Sequence, residues 1–180
     1  MSGVGITLGP LELIDGRCVV GDSRRPDGSW VEFRAEGLYR HAPGSEGELV
    51  PWSRIMLGMR VIVGRGHPAK GGNFTMPGLL GGLPGFKGRG GGHLDMTLRH
   101  PYEDWSARFD RHTHGYRLFD VTLLEELLRQ TVAAGEAHRL ADADWLGRVV
   151  VRLTAPRSWV RTKLADVVEQ ARQAEGTSTG

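Results

Sequence analysis

Apolar positions in the first 111 residues fall into short alternating runs separated by turn residues. Leu11 and Leu13 alternate ahead of Asp15-Gly16, and Cys18 and Val20 alternate behind it, which predicts a tight hairpin. Val31 and Phe33 share a face, Ala35-Glu36-Gly37 turns the chain, and Leu38 to His41 runs back. Leu49 to Trp52 follows. The longest alternation comes next, with Ile55, Leu57, Met59, Val61 and Val63 at every second position. Beyond residue 92, Leu94, Met96 and Leu98 alternate, residues 101–104 turn, and Trp105, Ala107 and Phe109 alternate on the far arm. Strict alternation therefore predicts one buried face that brings together Phe33, Ile55, Leu57, Met59, Trp105 and Phe109. Many short strands punctuated by Gly and Pro point to an antiparallel barrel or sandwich.

From about Phe119 the period becomes helical. Asp120 is placed to cap a helix whose Leu124, Leu127, Leu128 and Thr131 share a face, Phe119 and Leu124 are spaced for a hydrophobic staple, and Gly135 ends it. Asp142 or Asp144 precedes Trp145, Leu146, Val149, Val150 and Leu153. That spacing is helical, although three successive valines also suit a strand. A last helix is expected from Ser158, with Val160, Leu164, Val167, Val168 and Ala171 inward. The expected organisation is thus α+β: an antiparallel β core over 1–118, a helical part over 119–174 packed on it, and a flexible tail over 175–180.

One segment breaks this pattern. Between Gly64 and Gly92, twelve of 29 residues are glycine, and Arg65, Lys70, Lys87 and Arg89 are present without a single acid. Long stretches without periodicity are uncommon inside compact domains, and many that occur are functional. The segment also carries Phe74, Met76, Leu79, Leu80, Leu83 and Phe86. Cationic and apolar groups on a permissive backbone suit a protein groove, an anionic membrane surface or, through Arg89-Gly90-Gly91, RNA. The alternative is that these apolar groups fold back onto the core. The expected partner-binding residues are Arg65, Lys70, Phe74, Met76, Leu79, Leu80, Phe86, Lys87 and Arg89.

Charge sharpens that reading. The whole chain is only +2, while the segment alone contributes +4, leaving the remainder at about −2 by subtraction. A dedicated DNA-binding domain normally has a broad basic face, which this distribution disfavours. Cys18 is the only cysteine, so an intrachain disulfide and a cysteine-based zinc site are excluded; within Arg17-Cys18-Val19-Val20 it reads as a buried small hydrophobe. The early apolar residues are broken by Gly9, Pro10 and Glu12, unlike a signal peptide, and no apolar run is long enough to span a bilayer. A cytoplasmic protein is the expectation. Basic residues are 20 arginines and 3 lysines, a bias that GC-rich bacterial codons produce.

Catalytic signatures are few. Val61-Ile62-Val63-Gly64-Arg65-Gly66-His67-Pro68-Ala69 imitates a dinucleotide fingerprint, but Pro68 and Gly71-Gly72 stop the helix that would bind the pyrophosphate. No cofactor is expected. Asp110, His112 and His114 would project from one face if the strand through Phe109 continued, and imidazole with carboxylate suits zinc or iron. The bland alternative places them on a solvated strand edge running into Gly115. No serine has the strand-to-helix setting of a hydrolase nucleophile; Ser53 reads as a turn residue, and Glu103 and Asp104 belong to a hairpin turn.

Trp30-Val31-Glu32-Phe33, then Gly37-Leu38-Tyr39-Arg40, then Val50-Pro51-Trp52-Ser53-Arg54-Ile55 resembles the strand progression of bacterial PH-like domains. The resemblance covers roughly residues 29–63, with the helix at Asp120 as its cap. It implies a strongly bent antiparallel sheet closed by a helix, and a binding or scaffolding module rather than an enzyme. The expected function is non-enzymatic binding of a protein or small ligand through residues 64–92, with self-association left open. The competing reading is a metal-dependent enzyme using Asp110, His112 and His114.

Overall fold

The computed structural model describes residues 5–64, 91–155 and 163–176. Among these residues, nine strands form two antiparallel sheets. The first is a six-stranded meander of β1 (Ile6–Leu8), β2 (Leu11–Ile14), β3 (Arg17–Val20), β4 (Trp30–Arg34), β5 (Gly37–His41) and β6 (Glu48–Pro51). The second contains β7 (Arg60–Val63), β8 (Gly91–Leu98) and β9 (Glu103–Asp110). Helices α1 (Leu118–Ala133), α2 (Ala143–Thr154) and α3 (Leu164–Ala174) follow. The protein is therefore α+β, strands first and helices after.

Turn chemistry explains the meander. Asp15 and Gly16 have φ of 50° and 73°, the left-handed pair that matches the twist of the β2–β3 hairpin. At Arg34↔Gly37 the β4–β5 ladder closes, and Gly37 is required there because an added Cβ would lie 2.0 Å from the Val50 carbonyl oxygen.

Of the expected barrel or sandwich, the closed barrel is not formed: the sheets remain open. After Pro51, which has no N–H to continue a ladder, the chain turns through a short 3-10 segment at Trp52–Arg54. Pairing between the sheet systems there shrinks to the single bridge Ile55↔Leu98, flanked by Met56 N–H to Thr97 O at 3.3 Å and Arg99 N–H to Arg54 O at 2.8 Å.

The alternating run 55–63 is not one strand. Ile55 opposes Leu98 and Arg60 opposes Asp95, so five steps on one side face three on the other, leaving two residues extra. Gly58 sits in this detour at φ of 112°, where a Cβ would fall 2.9 Å from the Arg129 Cα of α1. The detour turns Leu57 outward to 73% exposure, correcting its expected place in the core, while Ile55, Met59 and Val61 remain buried. Helix α1 covers the same edge, with Glu125 Oε2 accepting the Val61 N–H at 3.4 Å. Burial raises the Glu125 carboxyl above its ordinary range, a shift that this N–H and the Arg60 charge only partly oppose.

Both sheets and all three helices feed one apolar core. Phe33, Ile55, Met59, Trp105 and Phe109 lie in it as expected, joined by Leu124, Leu127 and Leu128 of α1, Trp145, Val149 and Val150 of α2, and Val167 and Val168 of α3.

Helix ends follow local rules, with three corrections. Arg117, not Asp120, is the N-cap of α1, and it makes no side-chain cap bond; Asp120 lies in the first turn. Phe119 is inside the helix and 37% exposed, so the expected staple is not formed. The end of α1 is a Schellman motif at Gly135, whose φ is 73°, with Gly135 N–H to Val132 O and Glu136 N–H to Thr131 O both at 3.0 Å. Asp142 caps α2 by accepting the Asp144 and Trp145 N–H groups, each at 3.0 Å. The 145–153 run is thus helix, not strand. Ser158 and Val160, placed in the last helix by the sequence, lie outside the described residues. Glu175, assigned to a loose tail, is buried at the end of α3 and accepts Arg148 Nε and Arg152 Nε of α2 at 2.5 and 2.6 Å.

Candidate functional site

The densest buried cluster of titratable side chains gathers around Glu12. It stands on β2 between Leu11 and Leu13, on the opposite sheet face from them, yet is only 4% exposed. Gly5 makes room for it, since a Cβ there would lie 2.9 Å from Glu12 Oε1. Arg24, from the connection between β3 and β4, grips both carboxylate oxygens at 2.5 and 2.7 Å. His112, a hundred residues away in sequence, places Nε2 3.2 Å from Glu12 Oε2.

His112 is fixed from its other side by Tyr116. The Tyr116 hydroxyl oxygen accepts the His112 backbone N–H at 2.8 Å and lies 2.7 Å from Nδ1. With its oxygen receiving that N–H, the hydroxyl donates to Nδ1, which leaves the ring proton on Nε2 to donate to Glu12. A neutral imidazole satisfies every contact. Burial lowers the His112 pKa from its ordinary value, and the Glu12 bond and charge only partly oppose this. Burial alone would raise the Glu12 carboxyl, but bonds from Arg24 and His112 outweigh it and leave it below its ordinary value. The Tyr116 hydroxyl is pushed up to about 12, chiefly by burial.

Asp110, His112 and His114 consequently do three different jobs. Asp110 ends β9 and ties the two sheets together: its N–H donates to Ser29 O at 2.7 Å, its Oδ2 accepts Ser29 N–H at 2.9 Å, and its carbonyl accepts Asp22 N–H at 2.9 Å. His112 is buried in the relay rather than on the solvated edge that the sequence suggested. His114 is exposed and stacks on His112 with ring centroids 5.0 Å apart. Among the described residues, no group of three or more His, Cys, Asp and Glu side chains is placed to hold a metal ion.

A second cluster lies on the β4–β5 hairpin. Trp30↔His41 and Glu32↔Tyr39 are cross-strand pairs on one face. Glu32 accepts His41 Nε2 and Arg34 Nη2, both at 2.9 Å; Trp30 stacks on His41 at 4.5 Å, and Arg34 lies 3.7 Å over the Tyr39 ring. Burial would raise the Glu32 carboxyl, yet His41 and Arg34 hold it below its ordinary value.

Sequence reasoning missed both clusters. The available signal was an acid inside an apolar alternating run, in Leu11-Glu12-Leu13 and Val31-Glu32-Phe33, because a carboxylate within a buried strand requires a partner. Ser53 lies in the turn after β6 as expected, with its carbonyl accepting Arg99 Nε at 2.8 Å, whereas Glu103 and Asp104, expected in a hairpin turn, open strand β9 opposite Leu98 and Thr97, and Glu103 pairs with Arg54. Cys18 is buried, and burial pushes its thiol up to about 12. The partner-binding residues Arg65, Lys70, Phe74, Met76, Leu79, Leu80, Phe86, Lys87 and Arg89 lie outside the described residues.

What the structure gives for that segment is its two ends. Val63 of β7 pairs with Gly92 of β8, so the ladder closes beneath it. Among the described residues, no helix is long and apolar enough to cross a membrane. Compared with known proteins, the chain matches no family model, no curated protein and no solved structure.

Proposed function

We infer that this protein is a non-enzymatic binding module with a PH-like core, engaging a protein or small ligand through the basic, apolar glycine-rich segment between β7 and β8. The observation that carries this reading is the Val63↔Gly92 pairing. The segment departs from and returns to neighbouring positions on one sheet. Such a segment can answer to a partner without being needed for the fold. The order of an antiparallel meander, a second antiparallel sheet and a helix against the β7 edge supports the PH-like assignment.

The buried titratable groups favour binding over catalysis. Glu12, His112 and Tyr116 satisfy one another, as do Glu32, Arg34 and His41. Tyr116 and Cys18, each pushed up to about 12, are far from the range in which a general acid or base works near neutrality. Asp110, His112 and His114 are not proposed as a ligand set, since the first two are committed to Ser29, Glu12 and Tyr116.

The test replaces residues 65–90 with a short Gly/Ser linker. Circular dichroism and melting temperature should be preserved, while a partner identified by crosslinking and mass spectrometry to the unaltered protein should be lost. Flotation with anionic vesicles at low and high salt separates a membrane surface from a protein partner, because attraction by four cations fades with screening. An insoluble or molten linker variant would assign the segment to the core and remove the proposal's support.

A further inference from the structure

We propose that His112 is a proton-operated latch that holds the connection between β9 and α1 against the first sheet, and that mild acid releases this connection while the sheets stay folded. The connection, residues 111–117, is anchored in the apolar core by the Tyr116 ring. Among the described residues, nothing beyond its chain neighbours lies within 4 Å of where a Gly115 Cβ would be, and α1 begins at Arg117 without a side-chain cap bond. Its polar hold on the first sheet is the chain of contacts Tyr116–His112–Glu12–Arg24.

That chain works in one protonation state. With Nδ1 bare, the Tyr116 hydroxyl can donate to it while accepting the His112 N–H. A proton added at Nδ1 makes it a donor aimed at the same oxygen, so the hydroxyl hydrogen must leave that line and seek a partner in a site where Tyr116 is 5% exposed. The new charge meets a mixed environment. Glu12 from β2 and Asp22 from the β3–β4 connection favour it; Arg24 from the same connection and Arg111 and His114 from the latch's own segment oppose it. Asp22 is itself engaged by Arg25 at 3.5 Å, and Glu12 by Arg24. Burial then decides against the charged ring, consistent with a His112 pKa below its ordinary value of 6.5. In sign, the folded connection is favoured above the unfolded value, and that advantage is lost as pH falls from 6.5 through the lower folded value.

The test is backbone amide exchange of the full chain at about pH 7.5 and about pH 5, corrected for intrinsic rates, with nitrogen shifts of the His112 ring recorded alongside. Protection of residues 112–117 should fall at the lower pH, while β4 and β5 amides keep theirs. The ring should be neutral with its proton on Nε2 at the higher pH. His112→Gln, which can donate to Glu12 and accept from Tyr116 at either pH, should abolish the step. Should that variant fail to fold, Tyr116→Phe should give low protection at both pH values. A proton on Nδ1 at the higher pH, constant protection in the unaltered protein, an equal loss across the sheets, or a step that survives in either variant overturns the proposal.

Discussion

The ring of Phe109 occupies the space that a side chain on Gly92 would need: a Cβ built on Gly92 falls 2.2 Å from Phe109 Cζ. The two residues are cross-strand partners on β9 and β8, and Phe109 is fully buried. Each therefore limits the other. Phe109→Ala should cost about 3–5 kcal/mol as a buried aromatic truncation, and Gly92→Ala about 1–3 kcal/mol by overpacking. Denaturant melts of both variants and of the pair check this. Gly92→Ala in the Phe109→Ala background should cost clearly less than alone, and strict additivity of the two would contradict the contact.

The detour at residues 57–59 gives an inverted expectation for two neighbours. Leu57→Ser should change stability by no more than about 0.5 kcal/mol because the side chain is largely in water. Gly58→Ala should be the damaging change, since φ of 112° is strained for alanine and its Cβ meets the α1 backbone at 2.9 Å. If chemical melts rank the two in the opposite order, the strand runs straight through and the sequence pattern is right.

Asp142→Ala removes two bonds to the start of α2 and should cost about 0.5–2 kcal/mol. Asp142→Asn, which keeps an acceptor, should recover most of that loss in thermal melts.

Helix α3 should show its own acid sensitivity. Arg152 first and Arg148 second hold the Glu175 carboxyl below its ordinary value of 4.5. Such a group stabilises the fold above its unfolded pKa, and the stabilisation disappears as pH falls from about 4.5 through the lower folded value. Glu175→Gln should lower the melting temperature at neutral pH and flatten the decline below pH 4.5. An unchanged acid limb would remove Glu175 from the docking of α3. This window opens at a lower pH than the one that begins at 6.5 for His112.

How much was legible in sequence depended on how far each cause lay along the chain. The Asp15-Gly16 hairpin, the Gly135 terminus and the Asp142 cap are decided within a few residues, and each was read from its own segment, the cap as either Asp142 or Asp144. Leu57 was misplaced because its orientation depends on Arg129, more than seventy positions away, meeting the backbone at Gly58. His112 was misplaced for the same reason, with its partner Glu12 on the second strand of the other sheet. Asp120 was read as a cap from residue type alone, whereas the backbone enters α1 at Arg117. The choice of barrel or sandwich was inferred from many short strands, a pattern that does not reveal that Pro51 and the following turn interrupt the ladder.

The closed pair Val63↔Gly92 also makes the chain length between these strands nearly a free variable. Once the two ends are held side by side, the entropic cost of a flexible connection grows only with the logarithm of its length, about 0.6 kcal/mol per doubling. Loop-closure entropy therefore selects only weakly for the number of residues joining β7 to β8. The same junction is a natural place to splice a reporter or a second domain, because both termini of the insert would leave through one pair of hydrogen-bonded neighbours.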